Sequence, residues 1–123
     1  ETMGGPATPG VGWAAGVERL AMMLGETAPA TRPIALVGMG EDGERETVRL
    51  AHELRRAGLA IELLYKGGMK RGLKRADRIN AAAAILIGDD ELAKGSVTVR
   101  NLDSGEQADV AIADLTDHLA AYR

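Results

Sequence analysis

Six basic residues crowd one short stretch of the chain: Lys66, Lys70, Arg71, Lys74, Arg75 and Arg78, with only Asp77 set against them. From Lys70 onward they recur at steps of one and four. On a helix that spacing places them along one side, with Leu73, Ala76 and Asn80 elsewhere. A positive ridge of this kind can track nucleic-acid phosphates, and the start of the helix adds backbone N–H groups that favour anions. The competing explanation is a solvated helix face. The chain carries a net charge of −3, so the positive charge is concentrated here rather than spread over the molecule.

A second motif, Gly38-Met-Gly40-Glu-Asp-Gly43, stands between an apolar run and a helical pattern, with Glu62 about 20 residues further on. The spacing matches a dinucleotide-binding fingerprint. Two physical objections count against it. Glu41, Asp42, Glu44 and Glu46 crowd the helix start, where they would repel a pyrophosphate. Glu62 falls near the beginning of its strand, whereas a ribose partner belongs at the carboxyl end. We read the motif as a glycine-rich turn whose acids complement the helix dipole, not as a cofactor site.

Other chemistry-bearing residues are sparse. Glu18-Arg19 opens a helical pattern after a glycine-rich stretch; Arg19 could reach a polyphosphate, or serve as a surface ion-pair residue. His52 and His118 are isolated in helical stretches. Ser96 and Ser104 are the only serines, and neither sits in a nucleophile elbow. Asp89-Asp90-Glu91 marks a helix start that Asp89 would cap, and no further ligands accompany it to suggest a metal. No metal site is expected.

These residues are set in a regular order of elements. Residues 1–24 form one unit: an irregular lead-in rich in Gly and Pro, a short strand over Val11–Ala14, and a helix from Gly16 through Leu24. A linker over residues 25–32 follows, with Pro29 and Pro33 blocking any continuous helix. Ile34–Val37 then reads as a strand buried on both faces. Glu44–Ala57 reads as a helix with Val48, Ala51 and Leu54 inward, and Gly58 as its stop. Ile61–Tyr65 is the second strand, Met69–Asn80 the second helix and Ala83–Ile87 the third strand. Two such crossovers imply parallel strands with packed helices. Val97 and Val99 alternate with polar residues, Asp103–Glu106 turns, and Val110–Ile112 returns, so the sheet is mixed. Asp114–Tyr122 closes as a helix with Leu115 and Leu119 inward. The expected fold is α/β: a mixed five-stranded sheet with three flanking helices over 33–123, preceded by a strand–helix piece.

Composition bounds the rest. The 123 residues leave room for one compact domain plus an appendage. Phe is absent and Trp occurs once, so Ala, Leu, Ile and Val must build the core. With no Cys there are no disulfides or thiolate zinc sites, which suits the cytosol. The apolar runs are too short to span a membrane, and no secretory signal is present. The chain opens with Glu1 rather than Met, as a fragment or processed product would.

At this point the segments fit a known family. Residues 4–20, from Gly4-Gly-Pro to Val17-Glu-Arg-Leu20, resemble motif 3 of class II aminoacyl-tRNA synthetases in the form typical of histidyl-tRNA synthetases. Gly67-Gly-Met-Lys-Arg-Gly-Leu-Lys-Arg-Ala-Asp77, Ile87-Gly-Asp-Asp-Glu91 and the segment from Gly95 to Gln107 resemble the anticodon-binding domain shared by the histidyl, threonyl, prolyl and glycyl enzymes. The resemblance implies a homodimeric, cytoplasmic parent enzyme that uses ATP and Mg to attach histidine to its tRNA. Arg19 would be its ATP contact. The family's basic helix often carries Gln where this chain has Gly72, and a helical glycine costs about 1 kcal/mol against alanine.

Motifs 1 and 2 and the histidine-recognition segments lie upstream in the family and are absent from these 123 residues. The chain alone is therefore expected to be inactive, to need no cofactor, and to retain binding of tRNA(His). The resemblance points to Lys70, Arg71, Lys74 and Arg75 as clamps on the RNA backbone, Lys66 and Arg78 as outer contributors, and Glu91 as a candidate base reader. The alternative is a regulatory or scaffold protein built from synthetase parts, such as an ATP phosphoribosyltransferase regulatory subunit. Residues 1–24 are expected to be loosely ordered or covered by another chain.

Overall fold

Apolar β-rich runs bounded by Gly and Pro form the centre of the sheet. In the computed structural model, which describes residues 4–27, 29–65 and 67–122, β1 (Ile34–Gly38) and β3 (Ala83–Ile87) are buried almost throughout. They pair in parallel from Ile34↔Ala83 to Gly38↔Ile87. On the other side of β1 lies β2 (Ile61–Leu63), also parallel. Past β3 come β4 (Ser96–Asn101) and β5 (Gln107–Ala111), both antiparallel to their neighbours. The order is β2-β1-β3-β4-β5, the mixed five-stranded sheet expected from the sequence pattern.

The helices divide between the two faces because successive side chains of a strand point to opposite sides. Ile34 and Leu36 of β1 join a core with α2 (Gly40–Arg56) and with the C-terminal helical segment through Leu115 and Leu119. Ala35 and Val37 face the other way, against Ala76, with Leu73 and Ile79 partly buried, all from α3 (Gly68–Arg78) and its C-cap. That C-terminal segment runs through a 3-10 turn (Ile112–Asp114), the short α5 (Leu115–His118) and a second 3-10 turn (Leu119–Tyr122), not one continuous helix.

Other boundaries also move. No strand forms over Val11–Ala14; the segment is fully exposed, with no neighbour among the described residues to take its N–H and C=O groups. The helix after it, α1 (Val17–Leu24), buries none of its residues. Helix α2 begins at Gly40, before Glu44, because Gly43 has no side chain and can lie against the end of β3. A Cβ there would stand 2.6 Å from the Ile87 carbonyl oxygen. The inward line of α2 is Gly43, Thr47, Leu50, Ala51 and Leu54. Val48, expected inside, is one position off that line and 53% exposed.

The short α4 (Asp89–Ala93) is entered from Gly88, and Asp89 is its first helical residue rather than its cap. Glu91 supplies the cap by reaching back: its Oε2 accepts from the Gly88 N–H at 3.0 Å. The chain entering β1 is pinned by Arg32. Its guanidinium donates to both carboxylate oxygens of Asp103 in the β4–β5 turn, at 2.8 and 2.9 Å, and to the Asn80 and Ala81 carbonyls at 3.0 Å.

Candidate nucleic-acid interface

The basic helix sits where it does because it packs unusually close to β1. A Cβ at Gly72 would lie 2.5 Å from Val37 Cγ1 and 2.9 Å from Cγ2, so only glycine permits this approach. The propensity cost of a helical glycine is outweighed here by tertiary packing. Any side chain beyond hydrogen has no room inward. Gly67 and Gly68 lead into the helix with φ of +130° and +67°, and the Arg71 side chain folds against Gly67.

A cleft of 250 Å³ opens between α3 and the carboxyl ends of β1 and β2, lined by the apolar Val37, Leu64 and Tyr65, the glycines Gly38, Gly68 and Gly72, and the cations Arg71, Lys74, Arg75 and Arg78. Among the described residues no carboxylate lines it. Lys70, which the spacing put on the same ridge, is not among its walls; it stands in the first turn of α3, one turn before Lys74. Lys66 lies outside the described residues.

The state of these charges separates a ligand-binding ridge from a merely hydrated face. On α2, Arg45 pairs with Glu41 and Asp42, and Arg49 with Glu46 and Glu53, as an ordinary solvated helix surface would. Those partners hold the Arg49 guanidinium well above its ordinary pKa, hydrogen bonding from Glu46 first. Among the described residues, Arg71, Lys74, Arg75 and Arg78 have no ion-pair partner, although Asp77 follows Lys74 by three positions. Four cations, unpaired among the described residues, over an apolar floor form a positively charged surface whose chemistry suits an anion, with room for something uncharged beneath.

The other singled-out residues lie elsewhere. Glu91 does not line the cleft, and its carboxylate is engaged at the α4 start. Arg19 is exposed on α1 and also absent from the cleft. One guanidinium on an unburied helix does not constitute an ATP site, and among the described residues no cluster of His, Asp and Glu could hold a metal ion. At the glycine motif, Gly38 and Gly43 serve close packing, and the space beside Gly40 is taken by Asp89: a Cβ there would meet its carboxylate at 3.2 Å. A pyrophosphate there would face Asp89 as well as the acids of α2.

Two residues outside the charge run stand out. Tyr65, read as the end of a strand, follows β2 and stands 59% exposed at the cleft. Arg100 does not line the cleft; it extends on the α3 face of β4, because Val97 and Val99 take the opposite face, and its buried Nε has no hydrogen-bond partner among the described residues. The alternation of the hairpin contained that information; only its pairing with Ala84 of β3 gives it a location.

The matches to known proteins agree with this geometry. A histidine–tRNA ligase of Rhodospirillum rubrum is 50% identical over 121 residues, covering 98% of this chain and 29% of the relative. One from Gluconacetobacter diazotrophicus is 48% identical over 118 residues, covering 96% and 28%. The chain thus spans under a third of the length of these curated relatives. Among solved structures, apo histidyl-tRNA synthetase of S. aureus superposes with a TM-score of 0.69 at 30% identity, covering 83% of this chain and 28% of that one. No helix among the described residues is long and apolar enough to cross a membrane. The family model described as an anticodon binding domain matches residues 34–122, the whole sheet with its helices, and the chain belongs to that family.

Proposed function

We propose that residues 33–123 grip the anticodon loop of tRNA(His) as one domain of a cytoplasmic, homodimeric histidine–tRNA ligase, and that residues 1–24 belong to its catalytic part. The observation that carries this reading is the cleft itself: Arg71, Lys74, Arg75 and Arg78, unpaired among the described residues, surround an apolar floor. Single-stranded RNA loops are held through their backbones by cations while unstacked bases turn to the protein. In the whole enzyme Arg19 would contact ATP, with Mg bound alongside. The chain alone should not activate histidine, because one arginine cannot position two substrates and stabilise the developing charge.

Binding of this chain to tRNA(His), followed by fluorescence anisotropy across a salt series, tests the proposal. Lys74→Ala should weaken binding and reduce the salt slope by about 1, as for one lost phosphate contact. Lys70→Ala, outside the cleft, should change it less. Equal effects of both, or an unchanged slope for Lys74→Ala, would remove the cleft from the RNA site. No affinity even in dilute buffer would remove the function.

A further inference from the structure

Cations alone account for half of the cleft's lining at most. Its floor is Val37 and Leu64, both nearly inaccessible, and of the three glycines in its walls Gly68 leaves open space where a side chain would stand, while Gly38 and Gly72 are closely packed. A phosphate set on that floor would lose its hydration without gaining hydrogen bonds. An aromatic base has an apolar π-face that such a surface accepts. The chain has only one Trp and two Tyr, and one of the three, Tyr65, is held largely exposed at this cleft. Tyr122 is engaged by Asn101, at 3.2 Å, while Tyr65 has no hydrogen-bond partner among the described residues. The volume, 250 Å³, is below the roughly 300 Å³ of the smallest drug-sized pockets, so it suits one base rather than two.

We infer that the cleft takes a single unpaired RNA base, stacked on the Tyr65 ring over Val37 and Leu64, while Arg71, Lys74, Arg75 and Arg78 hold the flanking phosphates. This rests on the RNA-binding reading above and adds to it a division of labour. The cations supply salt-dependent affinity, and the tyrosine supplies salt-independent affinity for unpaired RNA. A duplex, whose bases are already stacked, gains only the first.

The test uses the full chain, an anticodon stem–loop RNA of tRNA(His), and the same RNA annealed to its complement. Tyr65→Ala and Tyr65→Leu should each weaken loop binding by about 5- to 150-fold at fixed salt, with the salt slope unchanged. Tyr65→Phe, which keeps the ring, should bind as the parent does. 2-Aminopurine placed at each loop position in turn should be quenched at one position, and that quenching should vanish in Tyr65→Ala. Wild-type affinity in Tyr65→Ala, full affinity in Tyr65→Leu, or equal binding of loop and duplex would each overturn the stacking role while leaving phosphate binding in place. Absence of RNA binding by the unaltered chain would overturn both.

Discussion

Replacing Gly72 with alanine sets two physical effects against each other, and the structure says which wins. In an exposed helix interior the change would stabilise by about 1 kcal/mol through propensity alone. Here the new Cβ would stand 2.5 and 2.9 Å from the two Val37 methyls, against an ordinary carbon–carbon contact of about 3.5–4.0 Å. Val37 is 1% exposed and is fixed in a strand paired on both sides, so it cannot turn away. Helix α3 must lift by roughly 1 Å, or the pair must strain, and such overpacking typically costs about 1–3 kcal/mol. The net expectation is a loss of about 1 kcal/mol, or some 4–8 °C in melting temperature for a domain of this size.

Far-UV circular dichroism should follow the unfolding, since the single tryptophan, Trp13, lies exposed outside the sheet and reports little of it. Val37→Ala removes both clashing methyls. In that background Gly72→Ala should therefore be neutral or stabilising, a coupling that a double-mutant cycle measures directly. If Gly72→Ala stabilises the unaltered protein, the close-approach argument fails. The same lift would carry Arg71 and Arg75 away from the cleft floor, so RNA affinity should fall with stability in the single variant, whereas in the Val37→Ala background, where the helix need not lift, Gly72→Ala should cost no further affinity.

Two further perturbations probe the frame around the cleft. Arg32 holds the Asp103 carboxyl below the ordinary aspartate range, hydrogen bonding first and charge second. A depressed carboxylate stabilises the fold above its unfolded pKa of about 3.9 and loses that contribution as pH falls through the lower folded value. Asp103→Asn should thus lower the melting temperature near neutral pH, with the gap to wild type closing at acid pH; a gap that persists unchanged down to about pH 2 would contradict it. Glu91→Ala should cost about 1 kcal/mol in urea unfolding, because the Gly88 N–H loses its acceptor. Unaltered stability would return Glu91 to the list of free carboxylates available to a base.

Local pattern was enough for much of this protein. Ile34–Val37 and Ala83–Ile87 are strands because continuous apolar runs between Gly and Pro have nowhere to go but the sheet centre, and Val97 with Val99 declare an inward face by alternation. The density of cations after β2 was equally plain. What one dimension could not contain was every property that depends on a neighbour distant in the chain. Val11–Ala14 has the composition of a strand but no partner to pair with among the described residues. Gly72 looks like a flaw in a helix until Val37 is placed beneath it. Asp89 looks like a cap until Glu91 is seen reaching back to Gly88. Lys70 and Lys74 share one side of the helix in the sequence, yet only Lys74 lines the cleft, because Lys70 stands a turn earlier at the start of α3. Tyr65 and Arg100 acquire meaning only from what lies across the sheet. Periodicity thus determines elements and charge, whereas close contact between elements decides which charges stand unpaired and around what floor they gather.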